Sequence, residues 1–371
     1  MADNRRKTPN AGELFKMLNM LPAPMRIMAV IVLVVGGLVW MVVQSSTKTT
    51  EPQTAPGVEG DALLAVWNVA NLFDDVDDPA SFDTDEDFYA ANPAAFEKKV
   101  DQIAQAVLMM NDGRGPDILT MVEVESALCM TKLQQRLNSR LDQAGLGKWA
   151  YSEVVFYPDN TGRRFAPGTI SRVQTIKAQS RKAGTRGDGR MLITTLEQDG
   201  HPLTLLTTHW TSRVSDRDGH RRMSYAETTY GEFRKILESD PSADVIVCGD
   251  FNDEFKDPSM QQGLRASDDL QAVIDAAPPQ REPMLFDVTT LLRDPSDCTI
   301  CYGAKKQIFD HLCISRGLLD NRGWTCDPKS ASIFKGEGMT KKNGCPIGYD
   351  KKEGTGFSDH LPVTVRLRCV K

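Results

Sequence analysis

Between residues 62 and 368 the chain repeatedly runs short and apolar, then stops on an acid, an amide or an imidazole. "ALLAVWN" ends on Asn68, "DILTMVE" on Glu123 and "LTLLTTH" on His209. "VIVCGDFND" ends on Asp250 and Asn252, and "QIFDH" on Asp310 and His311. "SDH" carries Asp359 and His360 into the last run, "LPVTVRLR". Runs this short that are bounded by polar residues read as strands. Amphipathic spacing over 94–111, with Phe96, Val100, Ile103, Val107 and Met110 on one face, reads as a helix. Further helices are expected over 129–145 and 222–238. Mixed strands and helices without a fixed internal period predict an α/β (α+β) domain of packed sheets covered by helices.

The amino-terminal part follows a different pattern. Residues 27–43, "IMAVIVLVVGGLVWMVV", contain no charged side chain, and that length is at the short end of what crosses a bilayer. Arg5, Arg6, Lys7, Lys16 and Arg26 precede it, and Lys48 is the only early basic residue after it. The asymmetry predicts a cytoplasmic basic segment (1–26), a transmembrane anchor (27–43), a flexible linker rich in Ser, Thr, Pro and Gly (44–60) and an extracytoplasmic domain (61–371). A cleaved signal peptide is the rival, which would make the domain secreted, but no small-residue cleavage site follows directly. The formal net charge of −6 argues against a protein that coats nucleic acid by charge alone.

The residue types at the strand ends suit phosphate-ester hydrolysis. Carboxylate and carboxamide oxygens are hard ligands for Mg2+, Mn2+ or Ca2+, and such a cation neutralises phosphoryl charge. A histidine held by an aspartate can take a proton from water. A second histidine and an asparagine can donate hydrogen bonds to the transition state.

The motifs "WNVANLF", "DILTMVEVE", "LTTHWTSR", "GDFND", "FDHLCIS" and "SDHLPV", in this order over 67–363, resemble the endonuclease/exonuclease/phosphatase superfamily. That resemblance implies a four-layer αββα sandwich, here preceded by one transmembrane helix. It implies metal-side roles for Asn68, Glu123 and Asp359, with Mg2+ as the first choice of divalent cation. His209 would contact the phosphate, Asp250 and Asn252 would orient the nucleophile, and Asp310 would hold His360, the base. Val122 stands where the family usually has glutamine, and Glu125 and His311 read as bystanders beside the motifs.

The middle of the domain departs from the family pattern. Residues 156–190 hold eight Arg or Lys against Asp159 and Asp188. A solvated basic loop and a phosphate-contacting surface both fit, with Arg163, Arg164, Arg172 and Arg190 as candidates. Nucleic acid is the expected substrate; a phosphomonoester or a lipid phosphodiester, or a binding protein that has lost catalysis, are the alternatives. Nothing in the sequence calls for an obligate protein partner. The acidic segment 74–88 lacks the glycine and terminal glutamate of an EF-hand loop and reads as solvated. Of eight cysteines, Cys298, Cys301, Cys326 and Cys345 cluster, with disulfides favoured over structural zinc, and Cys248 reads as a buried thiol.

Overall fold

The computed structural model describes residues 60–77, 84–159, 164–184, 188–292, 294–303 and 305–370. The expectations for 1–26, 27–43 and nearly all of 44–60 lie outside the described residues. Among the described residues, no helix is long and apolar enough to cross a membrane.

The strands form two large sheets. The first has the order β14 (Gly323–Ile333), β15 (Val363–Val370), β1 (Asp61–Leu72), β2 (Ile118–Val124), β4 (Ala166–Ser171), β3 (Glu153–Phe156). The second runs β5 (Gln174–Ala183), β6 (Asp188–Gln198), β7 (His201–His209), β8 (Asp244–Asp250), β13 (Asp310–Ile314), β10 (Leu285–Asp287), β9 (Ala266–Ser267). A small hairpin pairs β11 (Ile300–Tyr302) with β12 (Lys305–Gln307).

Strand alternation sorts the second sheet into two faces. Leu203, Leu205, Ile246, Cys248, Leu312 and Ile314 join one core with Leu64, Val66 and Ile118 of the first sheet. Their sequence neighbours Leu206, Val245, Val247 and Cys313 join a second core with Tyr225, Phe233 and Leu237. Those three belong to α4 (His220–Ser239), which therefore covers the outer face. Each such buried side chain contributes about 1.5–3 kcal/mol. The sheet-to-sheet core also contains a hydroxyl contact, Thr120 Oγ1 to Thr207 Oγ1 at 2.8 Å, which satisfies both groups without water.

Two helices accompany the first sheet. α2 (Pro93–Leu108) begins on a proline, whose missing N–H costs nothing in a first turn, and buries Phe96, Val100, Ile103 and Val107. α3 (Ala127–Gln143) is capped by Ser126, whose hydroxyl accepts from Cys129 N at 3.2 Å.

Two expectations change here, and the favoured disulfide reading of the cysteine cluster is met in part. The acidic segment is not a solvated loop throughout: Thr84–Ala91 is helical (α1), and Asp74 is buried, accepting from Ser126 and Val76. The clustered cysteines form one disulfide, Cys301–Cys345, while Cys298 and Cys326 remain thiols. Arg172 is 2% exposed and is no substrate contact. Its guanidinium donates to Asp117 Oδ1 (3.1 Å) and to the carbonyls of Trp149 (2.6 Å), Pro116 (2.9 Å) and Arg114, and lies over the Tyr151 ring. Sequence separation hid those acceptors.

Candidate active site

Strand register builds the floor of the site. β7 and β8 run parallel with His209 opposite Asp250, and β8 and β13 run antiparallel with Asp310 opposite Asp250. His209, Asp250 and Asp310 are thus one row across three adjacent strands. In the first sheet β1 and β2 run parallel, with Asn68 opposite Val122.

Glu123 then breaks the pleat. Its φ is +66°, and the β2–β4 pairing shifts between Met121 and Val124. A left-handed non-glycine residue costs on the order of 1–3 kcal/mol and persists where its surroundings hold it. Here the hold is direct: Glu123 Oε1 accepts from Asn68 Nδ2 at 3.1 Å and Oε2 from Asn71 N at 2.8 Å. Asn68 Nδ2 also donates to Asp250 Oδ2 at 2.9 Å, so one carboxamide joins the two sheets. Asn252 is left-handed as well, φ +54°. Its N–H donates to Asp250 Oδ1 (2.9 Å), its Nδ2 to Trp210 O (3.1 Å), and its carbonyl accepts from Arg213 Nε (2.9 Å).

His360 arrives from the loop before β15. Its Nδ1 is 2.7 Å from Asp310 Oδ2, and its Nε2 is 3.7 Å from Asp250 Oδ2. The backbone is fixed on both sides: His360 O accepts from Trp67 Nε1 at 2.9 Å, and His360 N donates to Ser358 Oγ at 3.1 Å. Ser358 Oγ in turn donates to Asn68 O at 2.7 Å. His209 Nε2 stands 3.5 Å from Asp250 Oδ2 and 3.7 Å from Glu123 Oε1.

Burial and neighbouring charge set the protonation of this cluster. Burial pushes the Asp250 carboxyl up to about 6, with Asp310 adding to the rise while His360, His209 and the Asn68 hydrogen bond oppose it. Burial alone would lower the His360 imidazole, but the Asp310 and Asp250 carboxylates raise it well above the ordinary histidine range. One oxygen of the row is unspent: Asp310 Oδ1 is buried with no hydrogen-bond partner among the described residues. Ligand atoms of Asp250, Asp310 and His360 all lie within 4.8 Å of one another.

Of the residues singled out in the sequence, Asn68, Glu123, His209, Asp250, Asn252, Asp310 and His360 meet here. Asp359 stands apart on an exposed rim, in a cleft shared with Ala70, Asn71, Tyr89, Tyr349 and Lys351. Arg164 is half-buried just ahead of β4, the Arg190 side chain and Arg163 lie outside the described residues, and Arg172 is internal. Glu125 accepts from Asp74 N at 2.8 Å in a separate buried group. His311 faces away and bonds Asp287 Oδ2 (2.7 Å) and Asp253 O (2.9 Å). Sequence reasoning passed over Trp67, Ser358 and Thr299, whose Oγ1 accepts from Asp310 N at 3.3 Å. Ser358 and Trp67 left a signal, as the residues that open "SDHLPV" and "WNVANLF", and Thr299 left none.

Two solved structures share this fold. TDP2 from D. rerio, complexed with single-strand DNA product, aligns with a TM-score of 0.51 at 16% identity, covering 84% of this chain and all (100%) of its own. An endonuclease/exonuclease/phosphatase family protein from Bacteroides thetaiotaomicron aligns with a TM-score of 0.50 at 12% identity, covering 83% of this chain and 98% of its own. No curated protein matches the sequence. The family model described as Endonuclease/Exonuclease/phosphatase family matches residues 63–369, which takes in both sheets and every residue of the cluster. The chain belongs to the endonuclease/exonuclease/phosphatase family.

Proposed function

We propose that the chain is a divalent-cation-dependent phosphodiesterase that hydrolyses nucleic acid. The observation that carries this reading is the meeting of carboxylate, carboxamide and imidazole groups from both sheets at one end of the sandwich. The DNA product bound to the D. rerio TDP2 relative supports the substrate class.

The donor set fits a hard cation. The buried Asp310 Oδ1 has no hydrogen-bond partner among the described residues, and Asp310 lies with Asp250 and His360 in a group whose ligand atoms fall within 4.8 Å of one another. Glu123 would hold the ion with Asn68 beside it, Mg2+ first and Mn2+ or Ca2+ as other hard choices, while Asp359, out on the exposed rim, is not gathered into that cluster. When bound, it supplies neutralisation of phosphoryl charge. The chain's own groups do the rest. Asp310 fixes His360 through Nδ1 and leaves Nε2 facing the site, where the imidazole in its neutral form, favoured in alkali because the neighbouring carboxylates hold the proton on, takes a proton from water as that water attacks phosphorus. Asp250 and Asn252 orient the attack. His209 donates a hydrogen bond to the phosphoryl group as the ester P–O bond breaks, the leaving oxygen keeping the electron pair and taking a proton from solvent. Arg164 and Arg190 would meet flanking phosphates.

Residues 27–43 would anchor the domain outside the cytoplasm, which protease accessibility on intact cells tests. For the activity, the purified full chain should nick plasmid DNA with Mg2+ or Mn2+ and stop on adding chelator. A folded, metal-supplied sample that leaves nucleic acid intact but hydrolyses sphingomyelin or a phosphomonoester overturns the substrate class while keeping the reaction.

A further inference from the structure

Beside the site, three sulfurs are gathered that the hydrolytic chemistry does not use. Cys301 and Cys345 form a disulfide joining β11 to the loop that leads to Asp359. The Cys298 thiol is buried 3.7 Å from Cys301 Sγ, and it also points at Gly344 O at 3.7 Å, the carbonyl next to Cys345. A thiol in contact with one sulfur of a disulfide is placed for exchange. We propose that Cys298, Cys301 and Cys345 form an exchange centre in which Cys298 displaces Cys345 from Cys301.

The step balances without an external oxidant. Cys298 gives its proton to water, its thiolate attacks Cys301 Sγ, and the Cys298–Cys301 bond forms as Cys301–Cys345 breaks. The electron pair leaves on Cys345 Sγ, which takes a proton from water. A crosslink spanning 44 residues becomes one between near neighbours. Burial pushes the Cys298 thiol up, with the Lys306 and Lys335 amines opposing, so exchange quickens in mild alkali.

The location gives exchange a consequence. Thr299, between the two nearer cysteines, receives Phe309 N (3.0 Å) and Asp310 N (3.3 Å) on its hydroxyl, and its carbonyl accepts from Leu361 N at 2.8 Å. The segment that changes partner therefore braces both Asp310 and the residue after His360. On the other side, Lys341 N donates to Cys345 O, and Ile347 O accepts from Phe357 N, within the same loop as Asp359. The exchange itself stands independently of the hydrolase reading.

The test uses the purified full chain, held at pH 8.5 without reductant, alkylated with N-ethylmaleimide in denaturant at low pH, digested and mapped by mass spectrometry. The expected result is two isomers: Cys301–Cys345 with alkylated Cys298, and Cys298–Cys301 with alkylated Cys345. In Cys298→Ser, alkylation of Cys345 should fall to background. Wild type yielding only Cys301–Cys345 overturns the proposal. So does alkylated Cys345 at the same level in Cys298→Ser, which would mean incomplete oxidation rather than exchange.

Discussion

Two aspartate–histidine pairs, each with its aspartate or histidine on β13, share the same separation and have opposite surroundings. Asp310–His360 and Asp287–His311 each place a carboxylate oxygen 2.7 Å from Nδ1. His311 spends its other nitrogen on Asp253 O at 2.9 Å, stacks on Phe251, and has no exposed surface. Among the described residues, the other nitrogen of His360 has no partner closer than Asp250 Oδ2 at 3.7 Å, and His209 and Glu123 stand beyond that carboxylate. The pair alone does not make a proton acceptor. The second nitrogen decides: sealed against a carbonyl it fastens the fold, and facing a carboxylate row it can accept a proton.

Removing each imidazole should separate the two roles most widely. His360→Ala is expected to lower kcat on plasmid DNA by about 10²–10⁴-fold while the chain stays folded by circular dichroism at 25 °C. His311→Ala strands the buried Asp287 carboxylate and should cost about 3–5 kcal/mol in urea unfolding, with kcat per folded molecule little changed. If the two variants lose activity equally, the sealed pair is also catalytic and the contrast fails.

Acidity sharpens the contrast next. Burial alone would lower the His311 imidazole, but the Asp287 charge and hydrogen bond, and the Asp253 carbonyl, raise it above 6.5. A raised histidine adds stability that is fully present below its unfolded value and is lost as pH rises through its folded one. The unfolding free-energy gap between wild type and His311→Gln should therefore be widest below about pH 6.5 and narrow in alkali. A gap that is constant with pH would mean that His311 is held neutral and fastens the fold by hydrogen bonds alone.

The same contrast explains what the sequence could reveal. The dipeptide Asp-His occurs twice, in "FDHLC" and "SDHLP", and the two copies exchange roles. In β13 adjacent side chains point to opposite faces, so Asp310 reaches the site and His311 cannot. In the loop copy the histidine enters the cluster and Asp359 stays on the rim. Apolar runs ending on polar residues picked out Asn68, Glu123, His209, Asp250 and Asp310, which meet because strands that end at a shared rim present their last polar groups there. His360 instead precedes its run and was picked out as part of the "SDHLPV" motif. Strand order and register were not legible, since they arise from pairings such as Asp250 with Asp310, sixty residues apart. Arg172 misled for a related reason: composition showed a basic stretch, whereas its charge is answered by Asp117 from another strand's entrance.

The smallest expected effects come from the hydroxyls that steady each pair. Ser358 Oγ accepts from His360 N and donates to Asn68 O, so it ties the loop histidine to the backbone of the residue whose carboxamide joins the sheets. Thr289 Oγ1 donates to Asp287 Oδ1 at 2.7 Å and lies 3.1 Å from His311 Nδ1. Each bond contributes about 0.5–1.5 kcal/mol net, so Ser358→Ala and Thr289→Ala should be similarly destabilised in urea. Their kinetics should differ. Ser358→Ala lets His360 drift relative to the row and should lower kcat about tenfold with little change in KM, as expected when a small misplacement spoils an aligned group. Thr289→Ala should leave both constants near wild type, since a sealed histidine has no reacting partner to miss. Equal kcat in the two variants at equal stability loss would show that the loop holds His360 without Ser358, and that Asp310 and Trp67 suffice to aim it.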